Sequence, residues 1–255
     1  MKALLPAALA LAVTGIALPA AAQERPAISL SYDMGLGVKT VPEYEGSDEN
    51  DTKPWLLFRN FDISIGGTPS GDGTPAQGFS FGPVFDLVGK RSTGDNANEA
   101  LRGLDPVDRG LEVGLRAGYR TGPMRFYGAA RKAVGGHHGV TGELGVSLIL
   151  RPAEQWTVVS SLETQYGDRK YMEAYFGVSP DEAARTAYDP YPVGGGIKAH
   201  ALTVEARYRA TPDWTVLGRV QAKHLVGDAG DSPIVRDRDQ LSVGLGVVRS
   251  FNFRF

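Results

Sequence analysis

Cysteine is absent from this 255-residue chain. That removes disulfides, thiolate metal centres, cysteine nucleophiles and a lipid-modified amino-terminal cysteine. Beyond residue 22 no run reaches eighteen apolar residues, so no transmembrane helix is predicted. An excess of one charge is missing too: 27 basic and 29 acidic residues leave a formal charge of −2. This balance argues against a nucleic-acid partner and against a polybasic membrane-surface segment. Glycine, by contrast, is plentiful. Its 33 copies suit strands, tight turns and bulges better than helices, where each would cost stability.

The pattern that fills this frame is strict alternation. At the carboxyl end Leu241, Val243, Leu245, Val247, Phe251, Phe253 and Phe255 share one parity, broken only by Arg249, while Ser242, Gly244, Gly246, Ser250, Asn252 and Arg254 fill the other. A period of two is the side-chain repeat of a strand with one apolar and one polar face. Three phenylalanines on a free edge strand of a soluble protein would invite aggregation. A closed barrel in lipid has no such edge: its last strand pairs with its first, and the apolar face meets acyl chains. The mean hydropathy of −0.19 fits, because only alternate residues face lipid.

Similar runs recur. Ile28, Leu30, Tyr32, Met34, Leu36 and Val38 form the first; Trp55, Leu57, Phe61, Ile63 and Ile65, interrupted by Arg59, form the second. Phe79, Phe81, Phe85 and Leu87 form the third, with Pro83 an awkward member, and Leu111 to Tyr119 the fourth. Segments 124–134, 142–150, 156–166, 200–210, 214–224 and 239–255 complete ten strands. Short turns (121–123, 151–155, 211–213) alternate with long polar segments (39–54, 89–110, 135–141, 167–199, 225–238). Outer-membrane barrels alternate short periplasmic turns with long outer loops in this way; only 66–78 is long for its side. The prediction is an all-β antiparallel transmembrane barrel of ten strands, or twelve if Tyr171–Val178 and its surroundings supply a further pair.

The amino end agrees with export. Lys2, the apolar stretch from Ala3 to Leu18 and Ala20-Ala21-Ala22 read as a signal peptide, 1–22, cleaved before a barrel domain of 23–255. Trp55, Phe79, Tyr119, Phe126, Trp156, Tyr166, Tyr208, Trp214 and Phe255 lie near strand ends, as interfacial girdles require. The opposite parity carries Glu112, Arg116, Arg125, Arg131, Glu143, Glu163, Glu205, Arg207, Arg219 and Lys223, which predicts a narrow lumen of ion pairs rather than a wide pore.

Few residues point to chemistry. His137 and His138 sit in a glycine-rich outer loop, where a rim carboxylate such as Asp95, Asp168 or Asp228 could assist a general base. Solvated surface histidines are the plainer reading, and there is no nucleophile motif and no recognisable metal-ligand spacing. The acidic stretch 43–51 lacks the glycine and terminal glutamate of an EF-hand loop and reads as a solvated outer loop. One helix is predicted at Pro180–Arg185, with Ser179 as N-cap and Glu182 closing a capping box. No catalytic, cofactor or metal residues are predicted.

The loop 167–199 also carries a likeness. Tyr175-Phe176-Gly177-Val178-Ser179-Pro180-Asp181-Glu182-Ala183-Ala184, then Tyr191 and Gly194-Gly195-Gly196-Ile197, resembles the signature of the MipA/OmpV family of outer-membrane proteins. Pro42, Tyr44, Gly46-Ser47-Asp48, Arg131, Gly135-Gly136-His137, Gly139 and the closing Phe255 match in order. Ala187-Tyr188-Asp189-Pro190 departs from the Ser/Thr-Gly-Leu-type step of many members. The resemblance implies a barrel without enzymatic activity that scaffolds a periplasmic murein transglycosylase and a murein synthase. Some members are described as adhesins or as affecting antibiotic uptake, so a narrow channel for small polar solutes and an adhesin are the alternatives, with a rim enzyme using His137 or His138 behind them. Expected partners are outer-membrane lipid and the barrel-assembly machinery, which would read Phe251, Phe253 and Phe255.

Overall fold

In the computed structural model the described residues are 28–65, 77–88, 90, 91, 93, 94 and 97–254. Signal peptide 1–22, segment 23–27, nearly all of 66–78, Asp95 and Phe255 lie outside them. Ten antiparallel strands form a closed ring: β1 (Ile28–Pro42), β2 (Asn50–Ile65), β3 (Gly78–Val88), β4 (Gly110–Thr121), β5 (Met124–Gly135), β6 (Val140–Ala153), β7 (Trp156–Gly167), β8 (Gly196–Arg209), β9 (Trp214–Leu225) and β10 (Asp239–Arg254). Each pairs with its sequence neighbours, and β1 pairs with β10 in continuous register from Ser29↔Arg254 to Thr40↔Val243. Closure leaves neither terminal strand with an open edge, which is what hydrocarbon demands of every backbone N–H and C=O.

Alternation decides which face meets lipid. Leu36, Leu56, Leu115, Leu144, Leu162 and Leu245 all point outward, and the most exposed, Leu115 and Leu144, are 71% accessible. A soluble protein does not leave such a band bare; a membrane covers it. Aromatic pairs mark the rim at the short-turn end, with Phe79 against Tyr119 (4.6 Å between ring centroids) and Trp156 against Tyr208 (5.1 Å). Arg249, the polar break in the outward face of β10, lies at that same end, its guanidinium over the Phe251 ring (5.2 Å) and near Asp213 (3.7 Å).

The second strand departs from the sequence reading. Ser31 of β1 pairs with Asp62, but Asp33 pairs with Arg59, so β2 carries one extra residue there. This bulge reverses the parity above it. Pro54, Leu56 and Phe58 therefore point to lipid, while Trp55 and Leu57 point into the barrel. Trp55 is not a girdle residue. Its ring lies on Gly244, where a Cβ would come within 2.7 Å of it, and Leu57 lies equally close on Gly246. The glycines on the inward face of β10 are thus a floor for two large apolar side chains.

Between β2 and β3 the ladder is thin. Only Ile63↔Phe81 and Ser64↔Ser80 pair among the described residues; Asn50–Phe58 and Gly82–Val88 run past each other unpaired. Pro83, at the point where pairing stops, has no N–H to give.

The long loops carry the remaining structure. Helix α1 (Arg169–Phe176) occupies the stretch where an eleventh strand was a possibility, which settles the count at ten. Asp168 is its N-cap, accepting from Tyr171 N at 2.9 Å, and the repeat Tyr171, Met172, Tyr175, Phe176 gives it one buried face. Helix α2 (Pro180–Ala183) has the predicted capping box, with Ser179 and Glu182 bonding each other's backbone N–H, and ends two residues early. A single turn, α3 (Gly227–Gly230), lies in the last loop.

Candidate functional site

The outer loops fold together over the mouth of the barrel. Tyr171, Met172, Phe176 and Val193 pack against Ala199 of β8 and Leu225 of β9 as one apolar cluster, and Leu101, Leu104, Val178 and Ile234 form a second. Bonds between loops tie the pieces. Arg236 N and Asp237 N donate to Gly46 O (2.7 and 3.1 Å), Tyr44 OH to Ile234 O (3.0 Å), Tyr188 OH to Ala100 O (3.0 Å) and Asp105 N to Glu182 Oε1 (2.8 Å). Glu182 thereby closes the α2 box and holds a second loop. Burial would raise its carboxyl, but the Asp105 and Ser179 N–H groups bring it below the ordinary range.

Under this cap sits a buried polar knot. Glu45, from the acidic stretch read as a solvated loop, turns inward instead. It accepts from Lys198 (2.8 Å), Lys223 (2.9 Å) and the Tyr171 hydroxyl (2.6 Å), and Lys198 also donates to that hydroxyl (2.6 Å). Burial alone would push the Glu45 carboxyl up; the two ammonium groups outweigh it and hold the carboxyl far below the usual carboxylate range. The Tyr171 hydroxyl moves the other way, well above its ordinary value, because it is buried and faces the Glu45 charge.

His137 is buried, not solvated. Gly139 N–H donates to Nδ1 (3.0 Å), so Nε2 carries the proton and gives it to Glu112 Oε1 (3.1 Å). Thr141 Oγ1 bonds the other Glu112 oxygen at 3.0 Å, and the imidazole stands edge-on to Tyr171 and Tyr175. Both ring nitrogens are thus engaged within the protein. Its carboxylate partner is Glu112, whereas Asp168 caps α1 and Asp228 accepts from Gly194 N (3.1 Å). His138 is exposed at φ 52°. No cluster of His, Asp and Glu able to hold a metal ion occurs among the described residues.

The loop residues carrying the family likeness lie in this cap. Phe176 is fully buried, Gly177 ends α1 where a Cβ would meet Glu173 O at 2.9 Å, and Val178 exchanges two backbone bonds with Tyr191. A Cβ on Gly195 would meet Arg169 N at 3.0 Å, and Gly196 opens β8. Tyr175 packs on Tyr171 with ring centroids 4.8 Å apart, and burial raises its hydroxyl.

Below the knot, all ten charged residues expected inside do line the lumen. Arg116 and Arg131 (2.5 Å) share Glu143, Tyr127 OH donates to Glu163 (2.5 Å), and Arg207 Nε to Glu205 (2.6 Å). These bridges leave a cavity of about 1430 Å³. Twelve basic and seven acidic side chains line it, so its wall is cationic although the chain as a whole is not.

An apolar outer band, a charged interior and a closed ring of ten strands define an outer-membrane β-barrel protein. The family model described as the MltA-interacting protein MipA matches residues 34–251, and the chain belongs to that family. Among curated proteins none matches. Similar solved structures include the N-terminal β-barrel domain of Pseudomonas aeruginosa OprF (9% identity, 89% of this chain and 98% of that one, TM-score 0.32). Others are the KdgM porin in complex with disordered oligogalacturonate (12%, 88% and 99%, 0.36) and the outer membrane protease OmpT from Escherichia coli (10%, 90% and 97%, 0.28).

Proposed function

We propose that this protein is a non-enzymatic scaffold which holds a murein transglycosylase, and through it a murein synthase, against the outer membrane. The observation that carries this reading is the family match over 34–251, because that family is described by its interaction with MltA. The geometry is compatible. Loops bonded into a fixed cap suit a structural barrel better than a diffusion pore, which needs an open mouth.

A periplasmic partner must find its contact on the opposite face, where the turns are as brief as Gly122-Pro123 and Glu154-Gln155. From the sequence, segments 23–27 and 66–78 would be the sizeable pieces of chain on that side, and we assign them much of the contact. Export by a cleaved signal peptide, and recognition of Phe251, Phe253 and Phe255 by assembly machinery, belong to the same reading. Purified murein transglycosylase on beads should retain the wild-type barrel and lose it when 66–78 is replaced by a two-residue turn. A heat-modifiable gel shift confirms that the variant is folded. Undiminished capture of the folded variant refutes the assignment.

A second reading rests on the cationic lumen, which would suit passage of small anions. Discrete, salt-dependent conductance steps in planar bilayers would favour it; a silent bilayer would count against it.

A further inference from the structure

The β2/β3 seam and the wall behind it differ from the rest of the barrel. Elsewhere the lumen is lined by paired charges; here Trp55, Leu57, Val84 and Val88 make the inward wall largely apolar, with Lys53 of β2 and Asp86 of β3 set among them. The cavity does not stop at this wall. It continues through the unpaired stretch to Leu56, Phe58, Phe85 and Leu87, whose side chains face the lipid. Phe58 and Phe85 meet across the gap with ring centroids 5.9 Å apart, a side-chain contact where a backbone ladder would normally run. Apolar surface therefore extends from the bilayer to the interior, with the Asp86 carboxylate beside it on the inner side.

Charge waits at its inner end. The register places Lys53, Lys39, Gly244 and Arg219 side by side across β2, β1, β10 and β9. Trp55 lies on the Gly244 position in that row, so an apolar platform and a line of three cations share one patch of wall. Lys53 is bonded to exposed Asp51 (3.3 Å). Lys39 and Arg219 face the cavity with no ion pair within 4 Å among the described residues, although the Asp86 carboxylate of β3 is near enough to act on Lys39. Neighbouring Glu205, which pairs with Arg219 in the ladder, is bound to Arg207. Asp51 and Asp86 set two carboxylates against the three cations of the row, so the patch keeps a positive charge that a bound anion would offset.

We propose that the β2/β3 seam is a lateral portal from the outer membrane, and that the lumen takes up a long-chain carboxylate through it. The tail lies along Phe58, Phe85, Leu57 and Trp55, and the carboxylate reaches Lys39 and Arg219. Neither end suffices alone. A small polar anion gains nothing from the apolar path, and an uncharged lipid gains nothing from the cation row.

The chain's own composition makes the test clean. Of its three tryptophans, Trp156 and Trp214 face outward at the short-turn rim, so Trp156→Phe and Trp214→Phe leave Trp55, inside the lumen, as the sole emitter. The probe is a long-chain carboxylate brominated in mid-chain, added to the folded barrel in detergent. The expected result is saturable quenching of Trp55, with the matching brominated alcohol weaker by about tenfold, the value of one lost charge-assisted contact.

Because cysteine is absent, Leu56→Cys with Leu87→Cys places the only two thiols on either side of the seam. Bridging them with a short bis-maleimide should abolish quenching, while the unbridged variant, folded by gel shift, quenches normally. Lys39→Gln with Arg219→Gln should weaken it about tenfold without altering the gel shift. Equal quenching by acid and alcohol, or quenching that survives the bridge, would overturn the proposal, as would no quenching at all.

Discussion

Glu45→Gln is the sharpest single test of the cap, because one carboxylate there neutralises two lysines. Their side chains are 9% (Lys198) and 21% (Lys223) exposed. Glutamine keeps the shape of the side chain and one acceptor oxygen but deletes the charge, so both ammonium groups are left facing each other under the loops. Removing one member of a buried ion pair typically costs about 3–5 kcal/mol. The low end applies, at about 3 kcal/mol, because Lys223 keeps some contact with water and can turn toward it. The barrel ladder does not depend on this knot, so the loss should fall on cap opening rather than on global unfolding. An opening free energy lower by about 3 kcal/mol raises the open fraction roughly a hundredfold, and protease cleavage within 168–195 tracks that fraction when closing is fast. Limited proteolysis of the folded barrel reads this directly, with heat-modifiability unchanged. Adding Lys198→Met should return some of the loss, since the two sites are in contact and their effects cannot add. Cleavage of Glu45→Gln within about threefold of wild type, well under the expected hundredfold, or strict additivity in the double variant, would refute the reasoning.

The same knot sets a pH window. A carboxyl held below its unfolded value supplies stability above about pH 4.3 and loses it as pH falls toward its native value; Glu45 and Glu182 both act in this sense. Buried Tyr171 and half-buried Tyr44 and Tyr175 are raised, so their contribution holds below about pH 10 and fades above it. Cap proteolysis should therefore be slowest between those limits and rise on both sides; a flat profile across the acid limb would exclude the Glu45 account. Gly244→Val puts a side chain where even a Cβ would lie 2.7 Å from the Trp55 ring. It should displace that ring at a cost of about 1–3 kcal/mol and red-shift Trp55 emission in the Trp156→Phe, Trp214→Phe background; an unmoved spectrum would show that the glycine floor is dispensable.

Period-two reading found all ten strands because a wall one residue thick, with lipid outside and charge within, imposes the alternation on every strand. It placed ten charged lumen residues for the same reason. It failed on Trp55 and Leu57, since one extra residue at the bulge near Phe61 inverts parity and leaves no mark in the sequence beyond a ragged run. Helix α1 escaped notice because eight residues rich in tyrosine and phenylalanine suit a strand as well as a helix; Asp168 before the i, i+4 pair Tyr171 and Tyr175 was the available signal. Glu45, Glu112 and His137 could not be joined from the sequence, for their partners come from other loops and strands and depend on closure of the ring.

The distribution of ladder pairs has a mechanical meaning. A barrel whose ends meet last is ordinarily thought weakest at that joint. Here the joint between the first and last strands runs in unbroken register from Ser29 to Thr40, while two described pairs hold β2 to β3. Under tension or heat the wall would split between its second and third strands, along a fault line that the folding path did not create by joining the termini. β1 would then remain zipped to the carboxyl end, leaving the sheet as a single ribbon with β2 and β3 at its borders.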